Sequence, residues 1–327
     1  MSLDSDTIVD RRRMRRKLTF WRTLTVLVAI GAIAFVAMRF AGPAATGLAE
    51  SGNFIARVKV QGLIRNDDDR TESLDRLVRS NAKAVIVRID SPGGTAAGSE
   101  QLHESLRRIA ASKPVVVVVD GLAASGGYIA AIAGDQIFAQ DTSLVGSIGV
   151  LFQYPEMHEM LGKIGVKMET VRSAPLKAAP NGFEPTSPEA RAAIEAIVQD
   201  SFEWFKTLVR TRRSLDDAQL ASASDGRVFT GRQAMALKLV DRLGNERSAL
   251  EWLEKEKGID AKTRVRDWKL KSRFSDLSFI HLAGVSVLEA VGLGALARRI
   301  EASAVMQTIE RLNLDGLLAL WQPSPNN

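Results

Sequence analysis

Ser125 stands among alanines and glycines in the segment Ala123-Ala-Ser-Gly-Gly127, which follows an apolar run and precedes a helix-like stretch. A serine at a turn from strand to helix is accessible, and the free N–H groups of the helix start can stabilise an oxyanion. A second turn, Asp90-Ser-Pro-Gly-Gly94, follows another apolar run, and its glycines let the backbone approach a carbonyl closely. Glycine-rich loops also occur throughout α/β proteins, so each turn taken alone has an ordinary structural explanation.

A serine nucleophile needs a general base, and lysine is the remaining candidate. The chain has no cysteine, and its three histidines, His103, His158 and His281, are more simply explained as structural or solvated residues. Lys177 lies in a segment with no acidic residue before Glu184. A lysine acts as a base only when burial away from carboxylates lowers its pKa from about 10.4 to about 7–8. Taken alone, Lys177 is more simply a surface lysine.

Composition narrows the function classes further. The absence of cysteine excludes disulfides, thiolate nucleophiles and zinc ribbons. The sequence also has no HExxH and no GxxxxGK[ST] motif, so we expect neither a metal nor a nucleotide cofactor. The 44 basic and 38 acidic residues give a net charge of +6, and half of that surplus lies in residues 1–17. We therefore expect no nucleic-acid partner.

The elements that must position these residues alternate along the chain. Three segments have the pattern of strands: Phe54–Val60, Ala84–Ile89 and Val115–Val119. Helical periodicity follows or separates them in Thr71–Arg79, Glu100–Ala111, Tyr128–Ala133 and Pro188–Arg212, the last with Ser187 as its N-cap and Pro188 at its first position. This alternation predicts an α/β fold with a parallel sheet.

The N-terminus has the pattern of a membrane anchor. Six basic residues between Arg11 and Lys17 lie ahead of an apolar run from Thr23 to Met38, and no acidic residue occurs between Asp10 and Glu50. This pattern predicts a cytoplasmic basic segment (1–18), a transmembrane signal-anchor (19–39) and a linker (40–53). The alternative is a signal peptide cleaved after Gly47-Leu-Ala49. Both interpretations place the bulk of the chain outside the cytoplasm.

The segment 54–257 is followed by a predicted C-terminal amphipathic extension, residues 258–327, and the character of the sequence changes after Ser272. Phe279–Ala297 is apolar and rich in small residues, and Arg298–Leu320 is amphipathic. A second transmembrane helix is one interpretation, but Glu289 near its middle would cost about 3 kcal/mol. An interfacial or groove-lining helix is favoured.

Five motifs, taken together and in this order, resemble the signal peptide peptidase A family of membrane-anchored Ser-Lys peptidases. They are Asp90-Ser-Pro-Gly-Gly94, Asp120-Gly-Leu-Ala-Ala-Ser-Gly-Gly-Tyr-Ile-Ala130, Val145-Gly-Ser-Ile-Gly-Val150, Arg172-Ser-Ala-Pro-Leu-Lys177, and Gly226-Arg-Val-Phe-Thr-Gly-Arg-Gln-Ala234 with Leu239-Val-Asp-Arg-Leu-Gly244. The resemblance covers about residues 54–257. It implies Ser125 as nucleophile, Lys177 as general base, Ser147 as the residue that orients the lysine, and an oxyanion hole at Gly93, Gly94 and Gly126.

The sequence departs from the family pattern around the lysine. Ala174 and Leu176 stand where the family usually has glycine and often tyrosine. Neither side chain is required chemically. The resemblance also implies a fold of stacked β-β-α units similar to Clp protease and crotonase. By analogy with longer, duplicated members, it implies a ring-shaped homo-oligomer in which neighbouring subunits complete each Ser-Lys dyad.

The expected function is therefore that of a serine endopeptidase acting on cleaved signal peptides and other apolar extended peptides. The resemblance and the N-terminal pattern place it in the cytoplasmic (inner) membrane as a single-pass protein, with its catalytic domain on the periplasmic side. Three alternatives remain. They are a Ser-Lys membrane protease of the NfeD-like or stomatin-operon type, a crotonase-type acyl-CoA enzyme, and a ring scaffold without activity.

Overall fold

The computed structural model describes residues 20–23, 52–260 and 262–270, and the backbone of 318–320. The chain divides into two compact units, Met1–Gly52 and Asn53–Asn327. In the first unit, residues 20–23 form a helical turn. The predicted anchor (19–39) lies almost entirely outside the described residues, as does Phe279–Ala297. Within the described residues, no helix has both the length and the apolar character needed to span a membrane.

The second unit alternates strands and helices. Its described strands are β1 (Phe54–Ile64), β2 (Ala82–Thr95), β3 (Val115–Ala124), β4 (Gln136–Ala139), β5 (Leu144–Gly146), β6 (Val228–Thr230), β7 (Arg242–Leu243), β8 (Val265–Trp268) and β9 (Leu318–Leu320). Its described helices are α1 (Asp68–Val78), α2 (Ala96–Ala110), α3 (Gly126–Ala131), α4 (His158–Lys163), α5 (Pro188–Arg213), α6 (Asp217–Ala223), α7 (Gly231–Ala236) and α8 (Glu246–Lys257).

These strands form one mostly parallel sheet, which confirms the predicted α/β fold. Its main path runs β6-β5-β3-β2-β1-β8, and β4 and β7 extend from the first half of β3. The pairs β5–β6 and β2–β9 are antiparallel. The start of β3 pairs with β4, whereas its end pairs with β5 through Ala124 and Gly146. The sheet therefore divides along β3, just before Ser125.

The core explains why the central strands are continuous apolar runs in the sequence. Val115–Val119 are all buried, with alternate residues facing opposite sides of the sheet. Val115, Val117 and Val119 join the large cluster shared with α1, α2, α3 and α5. Val116 and Val118 pack instead with Trp252 and Leu253 of α8. Helices on both faces thus pack against the first half of β3.

One boundary predicted from the sequence was wrong. Asp90–Gly94 was predicted as a turn, but it continues β2, with a register irregularity between Ile89 and Ser91. A Cβ at Gly94 would lie 1.8 Å from the Ile64 carbonyl oxygen, so glycine here permits strand pairing at close range.

The long helix was predicted closely. Ser187 caps α5, its side chain accepting a hydrogen bond from the Ala190 N–H at 3.1 Å, and Pro188 occupies the first turn. The missing N–H of proline costs nothing at that position, and the serine oxygen satisfies a free donor. Both sequence signals are local, which explains why they were readable without knowledge of the fold.

Candidate active site

Ser125 lies between β3 and α3 in a strained backbone conformation. Its φ and ψ are 53° and −116°, in a region that non-glycine residues rarely adopt. Such a conformation costs about 1–3 kcal/mol and persists only where the surroundings fix it. Here the Ser125 N–H donates to the Gly146 carbonyl at 2.7 Å, and the Ser125 carbonyl accepts from the Tyr128 and Ile129 N–H groups. The residue is therefore held from both sides.

The Ser125 side chain points toward the segment after β5. The residue is only 1% exposed, and its Oγ donates to the Gly149 carbonyl at 3.4 Å. At that length the bond is weak, so the hydroxyl can turn to a better acceptor. Ser147 belongs to the same segment, has a φ of 51°, is 8% exposed and donates its N–H to the Arg227 carbonyl at 2.8 Å. The structure thus brings the segments of the two predicted serines together.

The predicted oxyanion glycines lie on two adjacent elements. Gly126 opens α3, and the first N–H groups of a helix have no acceptor within it. A Cβ on the next residue, Gly127, would lie 2.6 Å from the Ser91 carbonyl oxygen, so the helix start packs directly on β2. The Gly93 N–H, however, already donates to Ser91 Oγ at 3.1 Å. Gly94 is paired with β1 on one side and with β9 on the other, so Gly126 at the helix start is the best placed of the three to supply a free donor.

Lys177 lies in a different kind of environment. Its side chain is exposed, and its backbone N–H donates to the Ala174 carbonyl at 3.0 Å. Among the described residues, no hydrogen bond joins the Lys177 ammonium to Ser125 or Ser147. A single copy of the chain therefore presents the predicted nucleophile and the predicted base without connecting them.

The segment that carries Lys177, residues 151–187, is stabilised by hydrogen bonds and an ion pair between its own side chains. Arg172 Nη2 donates to both carboxylate oxygens of Glu184 at 2.6 Å, and Thr170 Oγ1 donates to one of them at 2.7 Å. The bond from Arg172 is the main reason that the pKa of Glu184 is lowered. Glu184 is the first acid after Lys177, and its carboxylate is paired with an arginine instead of the lysine.

Neither of the two histidines that the structure describes hydrogen-bonds to Ser125. His103 on α2 is buried, and its Nδ1 lies 2.8 Å from the Ile129 carbonyl, so that nitrogen carries the donated proton. Burial lowers the pKa of His103, with Arg212 and Arg107 contributing. His158 begins α4, and its Nδ1 lies 3.4 Å from a Glu156 oxygen. The structural interpretation of His103 is confirmed, and His281 lies outside the described residues.

One supporting residue has no role in the sequence analysis. Tyr128 is fully buried at the start of α3, and its hydroxyl donates to the Leu239 carbonyl at 2.9 Å. Burial raises the pKa of this phenol, so it stays a neutral donor. The bond ties the helix that follows Ser125 to the segment after α7. The sequence signal that could have indicated this supporting role is a single tyrosine within a run of small residues.

The described residues offer no alternative centre based on a metal, since no group of three or more His, Asp or Glu side chains among them is arranged to hold one. What they do bring together is a serine on a strained turn from strand to helix, with glycine backbone beside it. That is the arrangement of hydrolases with a nucleophilic serine.

Sequence comparison identifies the family within this class. The profile of Peptidase family S49 matches residues 107–260. A protein of Synechocystis sp. named "Putative protease" is 33% identical over 208 residues, which cover 63% of this chain and 75% of that protein. The chain belongs to peptidase family S49, a family of serine proteases.

Other similar proteins match smaller parts of their own length. "Serine protease SPPA, chloroplastic" of Arabidopsis thaliana is 30% identical, over 66% of this chain and 33% of that protein. "Putative signal peptide peptidase SppA" of Enterococcus faecium is 31% identical, over 56% of this chain and 54% of that protein. Among solved structures, a mutant ClpP1 from Listeria monocytogenes covers 59% of this chain and 92% of its own, at 17% identity and a TM-score of 0.41.

Proposed function

We propose that this serine peptidase uses Ser125 as its nucleophile and Lys177 as its general base, with Ser147 orienting the lysine amine. The observation that carries the proposal is the geometry of Ser125, which is held at a strained turn with its hydroxyl on a weak acceptor. Neutral Lys177 takes the hydroxyl proton as Oγ attacks the peptide carbonyl. The resulting ammonium protonates the leaving amine, and water then hydrolyses the acyl ester by the same route.

In this proposal the dyad is completed between subunits of a ring-shaped homo-oligomer. Lys177 is exposed in one chain, and the segment around it carries large apolar side chains that are also exposed: Met160, Ile164, Val166, Met168, Val171, Leu176 and Phe183. Clustered exposed apolar residues mark surfaces that pack against a partner. A neighbouring subunit on this surface would remove water from the lysine and bring it to the serine.

The proposed substrates are cleaved signal peptides and other apolar extended peptides. The proposed location is the cytoplasmic membrane, with residues 19–39 as the anchor and the peptidase unit on the periplasmic side. The basic N-terminus, the apolar run after it, and the name of the Enterococcus faecium relative support this assignment. We further propose that the fold of this unit is the stacked β-β-α arrangement of Clp protease and crotonase.

Mixing two inactive variants tests the shared dyad directly. Ser125→Ala and Lys177→Ala are each expected to abolish hydrolysis of an apolar fluorogenic peptide. Rings co-assembled from equal amounts of both should recover about one quarter of wild-type activity, because that fraction of interfaces pairs an intact serine with an intact lysine. No recovery in verified mixed rings would place both groups in one subunit.

A covalent probe separates the enzyme from a scaffold without activity. A fluorophosphonate should label wild-type protein at Ser125, identified by peptide mass spectrometry, and labelling should be lost in Ser125→Ala and strongly slowed in Lys177→Ala. Ser99→Ala is the matched control, since Ser99 is also buried but lies on α2 and donates to the Thr95 carbonyl. Equal labelling of Lys177→Ala would remove the lysine from the mechanism.

A further inference from the structure

The helix that follows Ser125 depends on other elements for its position. α3 (Gly126–Ala131) has six residues, whereas an isolated helix needs about 12–15 residues to be stable in water. The bond from the Tyr128 hydroxyl to the Leu239 carbonyl fixes its first turn, and its last turn needs contacts of its own. Because Ser125 and Gly126 lie at the start of α3, a shift of this helix would move both of them.

Two arginines bind the far end of α3. The last carbonyl groups of a helix have no N–H partner within it, and arginine side chains can supply the missing donors. Arg212 Nε donates to the Ile132 carbonyl at 2.7 Å, and Arg212 Nη2 donates to the Gly134 carbonyl at 2.9 Å. Arg107 Nη1, from α2, donates to the Ala133 carbonyl at 2.9 Å. The Arg212 guanidinium of α5 thus bridges the two carbonyl groups on either side of the one that Arg107 binds.

The surroundings of Arg212 indicate that α3 is its main partner. Among the described residues, its hydrogen-bond acceptors are these two backbone carbonyl groups, whereas Arg107 also donates to an Asp135 carboxylate oxygen at 3.5 Å. Burial lowers the pKa of Arg212, and the nearby charge of Arg107 adds to this effect. A charged group in this place therefore costs free energy, which the bonds to α3 offset.

The helix that presents Arg212 is itself fixed at this end. Phe205 and Val209 of α5 are fully buried in the large core cluster. The next residue, Arg213, donates to both carboxylate oxygens of Asp241, at 2.7 and 3.2 Å. Since the guanidinium of Arg212 is planar and two of its nitrogens are engaged, it restricts both the position and the orientation of the end of α3.

We propose that Arg212 is a positioning residue for the nucleophile, which it aligns by binding the end of α3 through the carbonyl groups of Ile132 and Gly134. The proposal rests on the proposed function, because it takes Ser125 as the nucleophile. At 1.5 Å per residue, Ile132 is about 10 Å from Ser125, so Arg212 acts through α3 and not on the reacting atoms. Loss of its bonds should slow the chemical step and leave substrate binding unchanged, because small shifts of reacting groups are costly.

Steady-state kinetics of Arg212→Gln test this role. Its kcat for an apolar fluorogenic peptide should be at least tenfold lower than that of wild type, with a KM within twofold. A fluorophosphonate should label its Ser125 more slowly by a similar factor. Arg212→Lys keeps a cationic donor for one of the two carbonyl groups, so its kcat should fall only about threefold. This milder variant decides the question if Arg212→Gln does not fold.

Arg57→Gln is the matched control. Arg57 is also a partly buried arginine with several hydrogen bonds, but its partners are Glu246 of α8 and Asp267 of β8. Its loss should lower the melting temperature and leave kcat within twofold of wild type. Equal losses of kcat in Arg57→Gln and Arg212→Gln would assign the effect to general destabilisation and overturn the proposal. A wild-type kcat in both Arg212 variants would overturn it as well.

Hydrogen exchange tests the contact without any reference to activity. In the full-length assembly, amides of residues 128–134 should exchange at least tenfold faster in Arg212→Gln than in wild type, and at the wild-type rate in Arg57→Gln. Equal protection of these amides in all three proteins would contradict the proposal. If wild type neither hydrolysed the peptide nor reacted with the probe at Ser125, while the difference in exchange remained, the result would count against the proposed function instead.

Discussion

The two halves of the proposed site are built in opposite ways. Between Phe54 and Gly149, strands and helices bury Ser125 in a fixed turn, and the hydrogen bonds around it come from backbone groups of β5 and α3. Between residues 151 and 187, α4 has no buried residue, and Lys177 sits on an exposed loop that is fastened mainly by surface contacts such as Arg172–Glu184.

Under the proposed mechanism, this difference separates what folding of one chain provides from what assembly adds. A nucleophile gains from a rigid turn, because the oxygen must stay aligned with the oxyanion donors. A lysine base needs removal from water, which an exposed loop cannot supply alone. An enzyme divided in this way would be inactive as a single chain, and assembly would switch it on.

The largest expected effect is a loss of activity without a loss of stability when the Lys177 side chain is removed. Lys177→Ala should lower kcat about 10⁴-fold, as loss of a catalytic group does in other serine peptidases. Its melting temperature should stay within error of wild type, because the side chain is exposed. Peptide hydrolysis and thermal unfolding of the same samples measure the two quantities.

Lys167 is the control, since it is another exposed lysine of the same segment. Lys167→Ala should keep nearly full activity. If both lysine variants lost activity equally, general disturbance of the segment, and not loss of one base, would be the explanation.

Substitutions of two glycines test the difference in packing between the sheet and the lysine segment. Gly94→Ala should destabilise the fold by about 2–4 kcal/mol, because the new Cβ would meet the Ile64 backbone in the buried sheet. Gly162→Ala, in α4 of the lysine segment, should be neutral or slightly stabilising, since nothing lies within 4 Å of the new atom. Urea unfolding midpoints of the two variants check this. Equal effects would mean that the lysine segment is packed as tightly as the sheet.

The same contrast explains what the sequence could predict. Strand and helix identity, the Ser187-Pro188 helix start and the serine at the end of β3 follow from local patterns, and the structure bears them out. Asp90–Gly94 was misassigned because a proline and two glycines signal a turn, whereas their conformation here is set by pairing with β1 and β9. Pairing with a segment more than 200 residues away leaves no local trace. Lys177 was chosen through the family resemblance, and its role stays a prediction.

A smaller effect concerns the contacts that shape the lysine segment. Glu184→Gln removes the charge paired with Arg172. It should lower kcat/KM about tenfold, because the segment that presents Lys177 loses the ion pair that stabilises its conformation. Global stability should change little, as for other ion pairs near the surface. Steady-state kinetics and limited proteolysis within residues 151–187 report the two effects. Unchanged kinetics with faster proteolysis would show that the bridge protects the segment without positioning the lysine.

The smallest expected effect concerns the buried residue His103, and it changes the stability of the fold only at acidic pH. Burial lowers the pKa of His103 below its ordinary value of 6.5, so the native protein keeps this ring neutral while the unfolded chain takes up a proton. The unfolded state then binds more protons, and stability falls as the pH drops below about 6.5. The glutamine in His103→Gln has no titrating group, and its amide can still donate a hydrogen bond to the carbonyl of Ile129 in α3. Its unfolding free energy, measured in urea between pH 7.5 and 5.5, should therefore decline less than that of wild type. Parallel curves would assign the acid sensitivity to other groups and leave His103 only a packing role.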